Sequence, residues 1–114
     1  MLNTITIMGR LCADPELRKT SNDISICTFR IAVARDYTRD GEERETDFFD
    51  VVAWRSTAEF LQRYFTKGRM IILTGRLQAR NWYDRDNNKR VSIEIIAESV
   101  YFADSSREDG SGAA

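Results

Sequence analysis

The chain contains no histidine, and only two of its 114 residues, Cys12 and Cys27, are cysteine. Without histidine it lacks the commonest general base and cannot form a Ser-His or Cys-His nucleophile pair. Two cysteines so far apart make no zinc motif, and no histidine is present to complete the usual mixed ligand sets. Both are read as reduced, partly buried thiols. No glycine-rich phosphate loop is present, and the acidic residues are scattered, mostly through loop-like stretches. An enzyme is therefore the least favoured class, and no metal or cofactor is expected. No apolar run approaches the ~18 residues of a membrane span, and the N-terminus has no basic region ahead of an apolar segment. A cytoplasmic protein is expected.

Neither charge sign dominates. There are 17 basic and 18 acidic side chains, a net of −1. Up to Phe102 the balance is 16 basic to 15 acidic, and the last twelve residues hold Arg107 against Asp104, Glu108 and Asp109. Fourteen of the basic residues are arginine, the type that stacks on bases and forks onto phosphates. Placement therefore matters more than the sum. The length and a 42% hydrophobic content suit one domain with a single core.

What the chain does have is concentrated in Gly75-Arg76-Leu77-Gln78-Ala79-Arg80-Asn81-Trp82. Strand side chains alternate between faces, so Arg76, Gln78, Arg80 and Trp82 point one way and Leu77 and Ala79 the other. Guanidinium groups ending in an indole can track a phosphate backbone and stack a base. The same stripe also suits the solvated outer face of an amphipathic strand, so the other strands decide between the two.

Taken in order, residues 3–11 alternate and end in Gly9-Arg10-Leu11, a first strand with Ile5 and Ile7 on one face. Asp14-Pro15-Glu16 breaks the extended run. Residues 17–23 are polar enough for a loop. Alternation resumes at Ile24 but changes phase between Ile26 and Phe29, which predicts a bulge or bend near Cys27 of the kind found in small closed sheets. Residues 35–47, with Arg35, Tyr37, Arg39 and Asp40-Gly41, read as a charged hairpin loop. The strand 48–54 carries aromatics on both faces, Phe49 with Val51 and Ala53, and Phe48 with Asp50, Val52 and Trp54. Asp50 makes double burial awkward, which favours an open face for a planar ligand.

Ser56-Thr57-Ala58-Glu59 has the form of a capping box and predicts a helix of about eleven residues ended near Gly68, with Ala58, Leu61, Tyr64 and Phe65 as its apolar stripe. A long strand, 70–82, follows with a bend at Gly75, then a turn at 83–89. The last strand, 91–102, alternates Val91, Ile93, Ile95 and Ala97 against Ser92, Glu94 and Glu98. Residues 105–114 are small and polar, and disorder is expected there.

Five strands with a helix between the third and fourth predict an all-β, five-stranded Greek-key barrel, the OB-fold. Phe48 and Trp54 share a face of the third strand, and Arg76, Arg80 and Trp82 share one of the fourth. Interleaved planes and cations are what non-specific single-strand binding needs. Arg10, Arg35, Tyr37, Arg39, Arg55 and Arg85 complete the candidate DNA-binding set.

At this point the chain resembles the bacterial single-stranded DNA-binding protein family from Asn3 to about Asp104. The resemblance rests on Gly9-Arg10-Leu11, on Asp14 through Arg18, on Thr46 through Trp54, on Tyr64-Phe65-Thr66-Lys67-Gly68 and on Gly75 through Trp82. It implies base stacking at Tyr37, Phe48, Trp54 and Trp82. It also implies a homotetramer wrapped by single-stranded DNA during replication, recombination and repair. The family usually continues into a Gly- and Pro-rich linker and an acidic tip that docks replication and repair enzymes. Residues 105–114 have neither, which leaves open a core piece of a longer chain or a short paralogue, host- or phage-encoded. A competing reading is an OB-fold interaction subunit of a primosomal complex, which would not need Phe48, Trp54 and Trp82 exposed together.

Overall fold

A computed structural model describes residues 1–37 and 39–103, so the expected tail at 105–114 and the end of the domain at 104 lie outside the described residues. The elements are β1 (Ile5–Leu11), β2 (Glu16–Lys19), β3 (Ser25–Ala34), β4 (Thr46–Trp54), α1 (Arg55–Tyr64), β5 (Met70–Tyr83) and β6 (Lys89–Phe102). The sheet order is β1-β5-β6-β4-β3-β2, and a further β1–β3 pairing closes it into a ring. All pairings are antiparallel except β4–β6. The architecture is the OB-fold.

The sixth strand corrects the loop expected at 17–23. Glu16–Lys19 pairs with Ser25–Thr28, and Arg10-Leu11 pairs with Ile31-Ala32 further along β3. β1 and β2 are therefore one barrel strand interrupted at Asp14-Pro15, which preserves the five-strand count of the barrel. The polar composition concealed β2 because a short edge strand is held by backbone pairing and one inward residue, here half-buried Leu17 opposite Cys27.

Cys27, Phe29 and Ile31 on β3, Val51 and Ala53 on β4, and Ile71 and Leu73 on β5 fill the barrel. Residues two apart on a strand share a face, so each strand contributes one buried row. α1 closes the barrel with Ala58 and Leu61, and Phe65 beyond its end is buried as well. Tyr64, expected in that stripe, is 47% exposed and packs against Phe60 and Phe102 instead. The capping box does not form. Trp54 is the N-cap without a side-chain bond, and Glu59 accepts a hydrogen bond from Ser25 Oγ at 2.8 Å, so β3 has taken the carboxylate that would have capped the helix. The helix stops at Tyr64, and Gly68, at φ +86°, turns the chain so that its N–H donates to the Leu11 carbonyl.

The bulge expected near Cys27 is absent, since β3 pairs without a break from Ile26 to Ala34 with β4. Its phase change has another cause: Ile26 sits on the outer face opposite Trp54 and is buried there, so both faces are apolar at that point. The irregularity lies between Thr74 and Gly75, where the pairing steps from Ser99 to Ala97 and leaves Glu98 extra. A Cβ on Gly75 would come 1.9 Å from the Ile96 carbonyl oxygen. Past this bulge β6 still pairs with β4 over residues 94–96, and only from Ala79 and Ile93 onward do β5 and β6 continue as a two-stranded hairpin beyond the barrel. Val91 and Ile93, whose alternation matched a core face, are 60% and 58% exposed because no described residue covers that side of the hairpin.

Two outcomes follow for folding. Gly75→Ala forces backbone apart at the bulge and is expected to cost about 1–3 kcal/mol or more, read as a lower urea midpoint. Cys27 is enclosed, and burial pushes its thiol up from 9.0 to about 11. A folded-state value above the unfolded one means that its contribution is complete below pH ~9 and is lost as pH rises towards ~11. Urea midpoints should therefore fall over that window, and a Cys27→Ala chain should show a smaller fall.

Candidate nucleic-acid interface

The outer face of the sheet carries the candidate residues, and strand pairing decides which of them meet. β4 presents Phe48, Asp50, Val52 and Trp54 outward. In register beside them stand Ala32, Arg30, Thr28 and Ile26 of β3, while Glu94 and Ile96 of β6 flank Asp50 and Val52 on the other side. β5 extends the face with Arg76 beside Ile96, Gln78 beside Glu94, Arg80 beside Ser92 and Trp82 beside Arg90.

One groove of about 560 Å³ joins Trp54, Arg80, Gln78 and Arg18. Its floor includes Ile26 and Ile96, which are 8% and 6% exposed. An apolar floor, an indole 42% exposed at one wall and guanidinium groups at the rim suit a base with its phosphate. Arg18 was missed in the sequence because it was placed in a loop. The period-2 pattern of Leu17 between charged neighbours was the available signal.

Trp82 lies on the same face of the hairpin, two residues past Arg80, and is 39% exposed. Its indole Nε1 donates to Ser92 Oγ at 2.8 Å, which fixes the ring across the hairpin. Phe48 is 56% exposed and stands six residues before Trp54, about 20 Å along the strand, so the two are separate platforms. The small Ala32 separates Phe48 from Arg10, and Arg10 Nη1 donates to the Gly68 carbonyl at 3.0 Å. Tyr37 projects from the β3–β4 connection and is 84% exposed. Arg39, Arg55 and Arg85 are also exposed, and Arg55 opens α1 at φ +59°.

The arginines are not a bare cationic stripe. Arg35 grips Asp47 through two hydrogen bonds of 2.9 and 3.0 Å and also reaches Glu45 at 3.3 Å. The guanidinium hydrogen bond holds the Asp47 carboxyl below its usual range, and Asp47 in turn raises Arg35. Arg30 pairs with Asp50 at 3.1 Å, Arg76 with Glu98 at 3.2 Å and Arg80 with Glu94 at 2.9 Å. Spacing along single strands could not show these pairs, because each partner sits on a neighbouring strand.

At the hairpin tip Asp84 organises the turn. Its carboxylate accepts from the backbone N–H groups of Asn88 and Asp86 and from Arg90 Nε. The Asn88 N–H, then Arg90, keep its pKa low. Arg85 is thereby carried at the outer end of a defined turn. Among the described residues no group of three His, Cys, Asp or Glu side chains could hold a metal, and no helix is long and apolar enough to cross a membrane.

Comparison with known proteins matches residues 2–103 to the Single-strand binding protein family. The single-stranded DNA-binding protein of Caldanaerobacter subterraneus subsp. tengcongensis is 40% identical over all of this chain and 76% of its own length. Single-stranded DNA-binding protein 2 of Listeria monocytogenes is 39% identical over 99% of this chain and 71% of its own. Single-stranded DNA-binding protein A of Bacillus subtilis is 41% identical over 98% of this chain and 65% of its own. An OB barrel with arginines and tryptophans on one outer face, matched over nearly its whole length, thus belongs to the single-strand binding protein family.

Proposed function

We propose that this chain binds single-stranded DNA without strong sequence preference and coats it during replication, recombination and repair. The observation that carries the proposal is the groove in which Trp54 and Arg80, from different strands, share an apolar floor, with Trp82 continuing the same face. Bases stack on Trp54, Trp82 and Phe48, and arginines meet the phosphates. Stacking accepts any base, so the site has no means of reading sequence strongly. The names and extent of the relatives support the same ligand. A reading as a pure assembly subunit leaves the exposed aromatics without a purpose.

Homotetramer formation belongs to the same proposal. The hairpin side opposite the groove exposes Leu77, Val91 and Ile93, an apolar row that another copy can cover. A cytoplasmic setting goes with it, and recruitment of replication or repair enzymes through an acidic tip would require a longer natural chain. Sedimentation of a stable monomer at micromolar concentration would remove the tetramer from the proposal.

Trp54→Ala and Trp82→Ala are each expected to weaken oligo-dT binding about tenfold or more, since a stacked base is worth about 1–3 kcal/mol and ~1.4 kcal/mol is one decade. Thermal stability and assembly should change little. Early melting or dissociation with per-subunit affinity intact would instead make that tryptophan structural. Tryptophan fluorescence should quench on titration with oligo-dT, and a flat signal without a mobility shift would remove the proposed ligand. Affinity should also fall linearly in log–log form with salt, and duplex of the same length should bind far more weakly because its bases are paired and stacked. Equal affinity for duplex and single strand at moderate salt would contradict the reading.

A further inference from the structure

Four charged side chains form a row across the middle of the proposed DNA face. Arg30 on β3 pairs with Asp50 on β4, Asp50 stands in parallel register with Glu94 on β6, and Glu94 accepts from Arg80 on β5. The order across the sheet is cation, anion, anion, cation. Adjacent like charges on neighbouring strands are unfavourable by themselves, and here each is offset by its outer arginine. The two outer pairs are unequal. Asp50 is 49% exposed, whereas Glu94 is 16% exposed beneath an arginine that is itself 53% exposed. Glu94 is thus the fixed partner and Arg80 the accessible one.

We propose that Glu94 competes with the DNA backbone for Arg80, as Asp50 does for Arg30: it positions Arg80 at the groove and makes a phosphate arriving there displace a carboxylate. This rests on single-stranded DNA being the ligand. An arginine that already holds a carboxylate gains less on meeting a phosphate than a bare one. Fewer counterions are released per contact, because the displaced carboxylate recruits a cation of its own. The pairing therefore tempers affinity and flattens the salt dependence without removing the cation from the site. It also keeps phosphates away from Glu94, which lines the groove with Asp50 in register beside it on β4, and leaves the apolar floor to bases.

The test compares Glu94→Gln, Arg80→Gln and the double variant with wild type, using oligo-dT at 50 and 200 mM salt together with melting temperatures. Gln keeps the shape and an acceptor while removing the charge. Glu94→Gln is expected to tighten binding about two- to fivefold at low salt, the range an exposed ion pair supports. Its log–log salt slope should steepen by about 0.7, one regained phosphate contact, so that the gain shrinks about 2.6-fold by 200 mM. In the Arg80→Gln background the same change should have little effect, because the competition has lost its object. Equal tightening in that background would assign the effect to net charge and overturn the pairing. Weaker binding with a lower melting temperature and an unchanged slope would make Glu94 a structural residue and also overturn it. Wild type failing to bind oligo-dT would remove the ligand itself and this inference with it, whereas wild-type binding with an unaltered Glu94→Gln slope removes the inference alone.

Discussion

The pairing of β5 with β6 is the constraint on which the rest of the molecule depends. These are the two longest strands, and their ladder runs from Ile71 opposite Phe102 to Tyr83 opposite Lys89 with one break at Thr74/Gly75. Before the break Ile71 and Leu73 lie in the barrel; after the buried Gly75 every residue of β5 is exposed. The bulge is possible only because Gly75 has no side chain where the Ile96 carbonyl passes. β5 pairs with β1 up to Gly75, β6 pairs with β4 over residues 94–96 past the break, and the far end of the ladder carries Arg80 and Trp82 outward. Core and candidate interface are consecutive parts of the same hydrogen-bonded ribbon.

That continuity fixes the backbone positions of the outer face proposed as a platform. Trp82 is held to Ser92 across the hairpin, and Trp54 occupies the junction of β4 and α1, where the chain must change from extended to helical backbone. Neither aromatic depends on a mobile loop for its position. Tyr37 does sit on a connection, and its exposure makes it the most adjustable of the proposed stacking residues. The electrostatics follow the same economy. A chain of net charge −1 cannot rely on a broad positive field, and its carboxylates pair directly with the arginines of the face.

Much of this was legible in residue order. Period-2 alternation located the barrel strands, Gly75 marked the break in β5, and the phase of Trp54 and Trp82 against Val51, Ala53, Leu77 and Ala79 put both indoles on the outer side. Failures came where a residue's partner lay on another element. Glu59 had the spacing of a cap but was taken by Ser25, Leu17 became a strand residue through pairing with Cys27, and Ile26 was buried on the outer face beside Trp54.

Sequence by itself determined which residues share a face of each strand, because side-chain direction is set by local backbone geometry with a period of two. It determined the absence of histidine chemistry and, through its motifs, the family resemblance. Only the tertiary structure decided which faces are covered. Val91 and Ile93 alternate as faithfully as Phe29 and Ile31, yet the first pair stands on a hairpin beyond the barrel and the second lies inside it. Only the tertiary structure decided, too, that Arg30, Arg76 and Arg80 face Asp50, Glu98 and Glu94, since register between neighbouring strands brings those charges within 3.2 Å. Burial and ion pairing are properties of neighbours, and in a closed sheet most neighbours are supplied by distant parts of the chain.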